Sequence, residues 1–353
     1  MNRDQFKHSP TLFSASGLFL LAGIGLWLTS LISGDLVTGL KILLPGAGEE
    51  LLNLLVSLFY YLPFLILPAV LWGANHDGAQ DAMRLNPIRP GDMIRASIVA
   101  LLSLMVVQNV TVVWTALVQK LGLNVFVTEY VRPANMTELT LSVVSAAILA
   151  PVGEELLFRG VMLSAWERKG ARRAVIVTAV MFAMLHGSLL GLPGEIFGGM
   201  MMALLVLWSD SIYAGLAFHS VYNAGGVMLN YVSSAMPADA AEEALMQGDL
   251  MAYMGGFGSM LVLLAHTALL LAIIVMVTRR MQARHAVISA LKRLPPEMRR
   301  PGFMSPKQLI EMMKQPSNID ETPMSTGDAL LLMAGVVTCI GLYVMDFLMM
   351  LGG

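Results

Sequence analysis

The sequence places a small set of ionisable and amide side chains inside long apolar stretches, where a charged group costs about 3 kcal/mol or more. These residues are, in chain order, Glu154, Glu155, Arg159, His186, His219 and Asn223. A carboxylate and an imidazole that share one water make a general base able to generate a nucleophile. A second imidazole and an amide could donate hydrogen bonds to the oxyanion that forms on an attacked carbonyl. The residue types therefore favour hydrolysis within the bilayer.

The spacing separates the two carboxylates. Glu155 and Arg159 are four residues apart, with the acid first, which is the better order for an ion pair on one helical face. Two adjacent carboxylates in a low dielectric would repel each other, and pairing one with Arg159 removes most of that conflict. Glu154 points about 100° away from Glu155 on a helix and is left for chemistry. A purely structural ion pair is the competing reading of Glu155 and Arg159.

Depth along the helices brings the polar residues together. Counted from the inner ends of their spans, Glu154, His219 and His186 lie at roughly 14, 12 and 18 Å. His219 and Asn223, four residues apart, face one point from the same helix. We therefore predict that Glu154 and His186 activate water, and that His219 and Asn223 hold the oxyanion.

A metal site is the alternative reading of the same side chains. Glu154, His186 and His219 could be three ligands with an open fourth position. The sequence contains no H-E-x-x-H, so zinc has no motif support, and we expect no cofactor. Cys339 is the single cysteine, which excludes an intrachain disulfide and cysteine-rich zinc sites.

The composition indicates that the surroundings of these residues are lipid. Of 353 residues, 56% are hydrophobic and 13% are charged, and the mean hydropathy is +0.70. Soluble domains carry about 25% charged residues. The net charge of −2 gives no reason to expect nucleic acid as a partner. The chain is therefore expected to be a membrane protein.

Nine apolar stretches are long enough, or nearly so, to cross the hydrocarbon core, which takes roughly 20 residues. They cover about 12–32, 52–74, 96–118, 139–163, 174–190, 194–208, 211–231, 256–277 and 328–351. We predict an all-α, polytopic transmembrane helix bundle of about nine spans. The basic residues suggest the orientation: with the N-terminus inside and the C-terminus outside, 18 Lys and Arg lie inside and 3 outside, as the positive-inside rule expects.

The spans divide the chain into five regions. Three N-terminal spans occupy 1–138, and four spans in 139–231 form the catalytic core. An outside loop and the eighth span follow in 232–277, then a basic cytoplasmic segment in 278–327 and the ninth span in 328–353. The start of the basic segment is compatible with a helix, and we expect it to prolong the eighth span as far as Pro295 and Pro296.

Three short motifs in this order resemble the CPBP family of intramembrane endopeptidases, which includes CAAX prenyl endopeptidases and bacterial Abi proteins. They are E-E-x-x-x-R at Glu154, Glu155 and Arg159, F-x-x-x-H at Phe182 and His186, and H-x-x-x-N at His219 and Asn223. The resemblance covers about residues 139–231. It implies a helical core that opens towards the cytoplasmic side and cleaves a membrane-anchored peptide. It gives the same roles to Glu154, His186, His219 and Asn223, while Glu155, Arg159 and Phe182 support them.

The expected partners are a membrane-anchored peptide or protein substrate and the lipid bilayer, and the expected location is a bacterial cytoplasmic membrane. Two other functions compete with an endopeptidase. One is a non-catalytic immunity or scaffold protein that keeps the pocket for binding. The other is a proton-coupled transporter in which Glu154 and the histidines relay protons.

Overall fold

The computed structural model describes residues 10–123, 133, 135–233, 257–292, 308, 311 and 324–352. Within these ranges the chain is helical and contains no strand, which confirms the all-α prediction. Nine long helices match the nine apolar stretches: α1 (Leu12–Leu43), α2 (Glu49–Ala74), α3 (Pro90–Lys120), α4 (Met136–Glu167), α5 (Ala171–His186), α6 (Leu192–Ser209), α7 (Ile212–Ser233), α8 (Phe257–Lys292) and α9 (Thr326–Gly352). A short helix, Ala79–Ala82, lies between α2 and α3.

Seven of these nine helices are both long and apolar enough to cross a membrane. The exceptions are α5, with 16 residues, and α7, with 22 residues. The first is too short and the second too polar, because His219 and Asn223 lie within it. Many large apolar side chains on the outer surfaces of the other helices are exposed, as lipid contact requires. The structure is thus an integral membrane bundle with seven clear candidate spans.

The short length of α5 corrects one boundary. The stretch 174–190 predicts a helix through Leu190, but α5 ends at His186 because Gly187 adopts a left-handed conformation with φ +62°. Sixteen residues span about 24 Å, less than the roughly 30 Å of a hydrocarbon core. Protein groups satisfy the backbone of the turn that follows. The Asp346 carboxylate accepts from the Leu189 N–H at 2.7 Å, and Trp114 Nε1 donates to the Leu189 carbonyl at 2.8 Å.

The loops that the charge count assigns to the inside meet at one end of the bundle. The Arg84 guanidinium, after α2, contacts the Glu167 carboxylate at the end of α4 and lies 3.3 Å from Asp210 Oδ1 between α6 and α7. Burial lowers the pKa of Arg84, but the two carboxylates raise it by more. Asp210 and Asp346 are both held by protein groups, at opposite ends of the bundle.

The central helix of the bundle is α4, which packs against α1, α2, α5, α6 and α7. Two π-helical turns, Val144–Leu149 and Leu156–Met162, interrupt it on either side of Ala150–Glu155. Such turns appear frequently at functional sites. Pro151 has no backbone N–H, and so cannot complete the hydrogen bonds of the first turn. The two glutamates therefore lie in a short α-helical segment between two irregular ones.

The helix predicted to continue beyond the eighth span is observed, since α8 runs to Lys292. The greater part of the predicted outside loop, 234–256, lies outside the described residues. The same holds for 293–323 of the basic segment, apart from Gln308 and Glu311.

Candidate active site

A buried ion pair orients α4. Arg159 donates from Nη1 to Glu155 Oε1 at 2.8 Å, in the contact that the spacing predicts, and from Nη2 to the Gly199 carbonyl at 3.2 Å. Both side chains are about 1% exposed. The guanidinium carbon lies 4.6 Å from the centre of the Phe182 ring, a cation–π contact. Arg159 thus ties α4 to α5 and α6.

His219 joins the two adjacent carboxylates. Its Nδ1 lies 3.0 Å from Glu155 Oε1, and its Nε2 lies 3.7 Å from Glu154 Oε2. The Phe182 ring meets His219 edge-on, with 5.7 Å between ring centres. His219 is 4% exposed. The imidazole is therefore fixed in position, with Glu155 at one nitrogen and Glu154 near the other.

Glu154 is the carboxylate of the pair that lines a cavity. Tyr61 of α2 donates its hydroxyl to Glu154 Oε1 at 3.1 Å. The other oxygen, Oε2, is buried and accepts no hydrogen bond from the described residues. A carboxylate oxygen without a donor in such a site is suited to bind a water or take a proton.

Glu154 and His186 face one cavity of about 290 Å³. The cavity lies between α1, α2, α4 and α5, and its remaining lining is mostly apolar and aromatic: Leu26, Thr29, Val56, Ser57, Tyr60, Tyr61, Leu65, Phe158 and Leu185. Tyr61 and Thr29 stand near the midpoints of their helices. The cavity is therefore close to the midpoints of α1 and α2.

The ring of His186 has a defined tautomer when neutral. Its Nδ1 lies 2.9 Å from the Phe182 carbonyl, so the Nδ1 proton is donated there and Nε2 keeps a lone pair. Glu195 Oε2, in the first turn of α6, lies 3.5 Å from Nε2. About 31% of the His186 side chain is exposed. His186 can therefore accept a proton at Nε2 and share the resulting charge with Glu195.

Asn223 is occupied by a backbone group. Its Nδ2 donates to the Ala146 carbonyl at 2.7 Å. The Ala150 N–H donates to the Ser145 carbonyl, five residues earlier in the π-helical turn. In the same register the Ala146 carbonyl would accept from residue 151, but Pro151 has no N–H. Asn223 supplies the missing donor. The structure brings Glu154, Glu155, Arg159, Phe182 and His219 together, with His186 across the cavity, whereas Asn223 bonds α4 at Ala146, eight residues before Glu154.

The alternative metal ligands have protein partners in the structure. Among the residues that the structure describes, no three His, Cys, Asp or Glu side chains form a group able to hold a metal ion. His219 Nδ1 is directed at Glu155, and His186 Nε2 lies 3.5 Å from Glu195 Oε2. A metal held by Glu154, His186 and His219 stays an alternative prediction.

Three contributors to the site are absent from the sequence prediction. Tyr61 bonds Glu154 from 93 residues away, and Glu195 faces His186 rather than only a helix end. Gly215 leaves space for Glu155, whose Oε2 would lie 2.4 Å from a β-carbon at that position. A polar stripe on α2 (Asn53, Ser57 and Tyr61, four residues apart) is the one sequence signal that could have revealed Tyr61.

Gly215→Ala is expected to destabilise the protein by about 1–3 kcal/mol, because the new methyl group must displace the Glu155 carboxylate and Val206. Thermal unfolding of purified protein in detergent measures the effect. The matched control is Gly226→Ala on the same helix, where a β-carbon meets nothing within 4 Å. Equal unfolding temperatures for the two variants would contradict the tight contact.

Comparison with known families supports the sequence resemblance. Residues 136–225 match the family model described as type II CAAX prenyl endopeptidase Rce1-like. The match covers about a quarter of the chain, from the start of α4 into α7, and includes every predicted site residue. No curated protein and no solved structure matches the chain. The family match confirms the resemblance to CPBP intramembrane endopeptidases.

Proposed function

We propose that this membrane protein, whose residues 136–225 match the Rce1-like family model, is an intramembrane endopeptidase that hydrolyses a peptide bond of a membrane-anchored substrate. The observation that carries the proposal is the single cavity onto which the Glu154 carboxylate and the His186 imidazole both face. A cavity of this kind, mostly apolar with a few convergent polar groups, is the usual form of a small-molecule or peptide site.

Water is activated between Glu154 and His186. Glu154 Oε2 has no donor among the described residues and can accept a proton of the water. His186 Nε2 carries the lone pair in its neutral form and can accept or relay a proton, with Glu195 nearby to balance the charge. The Tyr61 hydroxyl holds the other carboxylate oxygen. The water oxygen attacks the carbonyl carbon, the C–N bond breaks, and the leaving amine takes the proton.

The oxyanion is stabilised from α7. His219 Nε2 is 3.7 Å from Glu154 Oε2, so a proton on Nε2 is directed to the region where the water attacks. Asn223 is the proposed second donor, since its amide keeps one N–H beyond the one given to Ala146.

The substrate class follows from the surroundings of the cavity. Its lining is predominantly apolar, and the helices that enclose it expose large apolar side chains outward. A peptide that reaches Glu154 must therefore lie in the bilayer or be held there by an apolar anchor.

Isotope incorporation tests the function directly. Membrane proteomes of cells with the wild-type protein and with Glu154→Gln identify peptides cut only by the former, and one such peptide is then incubated with reconstituted protein in H₂¹⁸O. Hydrolysis places one ¹⁸O in the new C-terminal carboxylate. Identical proteomes would overturn the proposal and favour an immunity, scaffold or transport role. Activity in protein that elemental analysis shows to be free of metal separates the carboxylate mechanism from the metal alternative.

Tyr61→Phe is expected to lower the rate constant for cleavage by about 10- to 100-fold, because a hydrogen bond to a charged group contributes roughly 1.5–3 kcal/mol. Single-turnover cleavage in proteoliposomes measures it. Tyr60→Phe is the matched control: its hydroxyl, 3.5 Å from the Ala22 carbonyl, does not touch Glu154. If the cleavage rate of Tyr61→Phe is within about twofold of that of Tyr60→Phe, Tyr61 does not contribute to catalysis.

A further inference from the structure

A second cavity, of about 260 Å³, lies near the end of the bundle where α2 and α4 begin and α7 ends. Five of its lining residues carry polar side chains, Glu50, Asn53, Ser142, Ser145 and Asn230, and Pro133, Ala146 and Val227 complete the lining. Glu50 is 8% exposed, so a carboxylate is buried there. A cavity of this size with several polar partners is suited to hold ordered water.

This cavity opens at the end opposite the Arg84 contacts. Arg84 meets Glu167 and Asp210, which mark the end of α4 and the start of α7. Glu50, by contrast, stands in the first turn of α2, and Ser142 stands in the second turn of α4. The cavity of Glu154 and this second cavity therefore lie one after the other along the bundle, with the second nearer that opposite end.

Two serines join the cavities. Ser145 of α4 lines the second cavity and donates to Ser57 of α2 at 3.3 Å, and Ser57 lines the cavity of Glu154. The Ser57 hydroxyl donates in turn to the Asn53 carbonyl at 2.8 Å. This pair of small side chains is therefore a direct contact between residues that line the two cavities.

The polar side of α2 continues this path to the catalytic carboxylate. Asn53, Ser57 and Tyr61 are four residues apart and share one face of the helix. Asn53 lines the second cavity, Ser57 lies at the junction, and Tyr61 donates to Glu154. A hydrogen bond between serines of two helices can be a packing contact and nothing more. A packing contact does not need a cavity on each side of it, and the Ser57–Ser145 contact has one on each side.

We propose that the second cavity admits water and that the Ser57–Ser145 junction passes it to Glu154 from the end opposite Arg84. This inference rests on the proposed function, because hydrolysis consumes one water for each bond. A substrate that fills the cavity of Glu154 would displace water from it, so a separate entrance with polar side chains in its lining keeps the base supplied. The ligand of the second cavity is water itself.

Thiol labelling tests the entrance without any need for activity. In a Cys339→Ala background, Ser145→Cys introduces a single thiol at the junction and Ile148→Cys introduces one on the outer surface of the same helix, at a residue that is 54% exposed. Thiols react as thiolates, which form in water and not in lipid. A small, charged, membrane-impermeant methanethiosulfonate, added to sealed vesicles of known orientation, should label Ser145→Cys from the side opposite Arg84 at least about tenfold faster than Ile148→Cys.

Labelling of Ser145→Cys from the Arg84 side alone, or no faster than that of Ile148→Cys, would overturn the entrance. These outcomes leave the endopeptidase proposal intact, because isotope incorporation tests that proposal separately. If no Glu154-dependent cleavage is found but Ser145→Cys is labelled as expected, the endopeptidase proposal is overturned and the water-filled path is retained.

Blocking the junction tests its use. Ser145→Leu fills it with apolar atoms and is expected to lower cleavage by about tenfold or more while the protein stays folded. Thr140→Leu is the control, since Thr140 is exposed on α4 and its hydroxyl bonds only the Met136 carbonyl. Equal cleavage by the two variants would overturn the proposal. If Ser145→Leu lowers the unfolding temperature, Ser57→Val replaces it in the same comparison.

Discussion

Glu154→Gln is expected to lower peptide cleavage by about 10²- to 10⁴-fold, the usual loss when a general base is removed. Glutamine keeps the size of the side chain and an oxygen that can accept from Tyr61, but it cannot take a proton from water. Fold should be retained, because Glu154 takes no part in the Arg159 ion pair. Cleavage of the identified substrate by reconstituted protein, followed by mass spectrometry, measures the loss.

The control for this substitution is Glu49→Gln. Glu49 stands at the start of α2 with a side chain that is 71% exposed, so its charge has little influence on the cavity. Glu49→Gln should cleave at the wild-type rate. Cleavage by Glu154→Gln at more than about a tenth of the wild-type rate would show that another group activates the water.

Arg159→Met is expected to destabilise the protein by about 3–5 kcal/mol, because it removes one partner of a buried ion pair and leaves the other charge behind. The substitution also leaves the Gly199 carbonyl without its donor and ends the contact with the Phe182 ring. Methionine fills a similar volume, which limits the loss to charge and hydrogen bonding. Thermal and denaturant unfolding in detergent measure the change.

Arg95→Met is the matched control for Arg159→Met. Arg95 pairs with Asp92 at 3.2 Å, but its side chain is 27% exposed and Asp92 also contacts Arg284. Its loss should cost no more than about 1 kcal/mol. The double variant Glu155→Gln, Arg159→Met should be more stable than Arg159→Met alone, since no unpaired carboxylate remains. A double variant less stable than both single variants would contradict the ion-pair account.

The helices were predictable from the sequence because apolar length alone specifies them in a membrane protein. Each of the nine stretches corresponds to one helix, and the spacing of Glu155 and Arg159 correctly placed the two side chains in contact. The resemblance of the motifs agrees with the family match over 136–225. These features depend on residues close together in the chain.

The rest of the site depends on contacts between distant residues and on irregular backbone. The Tyr61 contact crosses 93 positions, and nothing in a local pattern specifies it. The end of α5 is set by the left-handed Gly187, and the environment of Asn223 by a π-helical turn at Pro151. Helix periodicity assumes the same rise and rotation at every residue. On that assumption His186 lies within a span, and Asn223 lies beside His219 at the oxyanion. The oxyanion role of Asn223 stays a prediction.

The turn after α5 links His186 to α9. The Tyr343 hydroxyl donates to the Ala183 carbonyl, and the Asp346 carboxylate accepts from the Leu189 N–H, so α9 holds the backbone on both sides of His186. A bundle in which α9 has not yet inserted lacks both contacts. In the proposed endopeptidase, insertion of α9 is therefore a condition for a correctly placed His186.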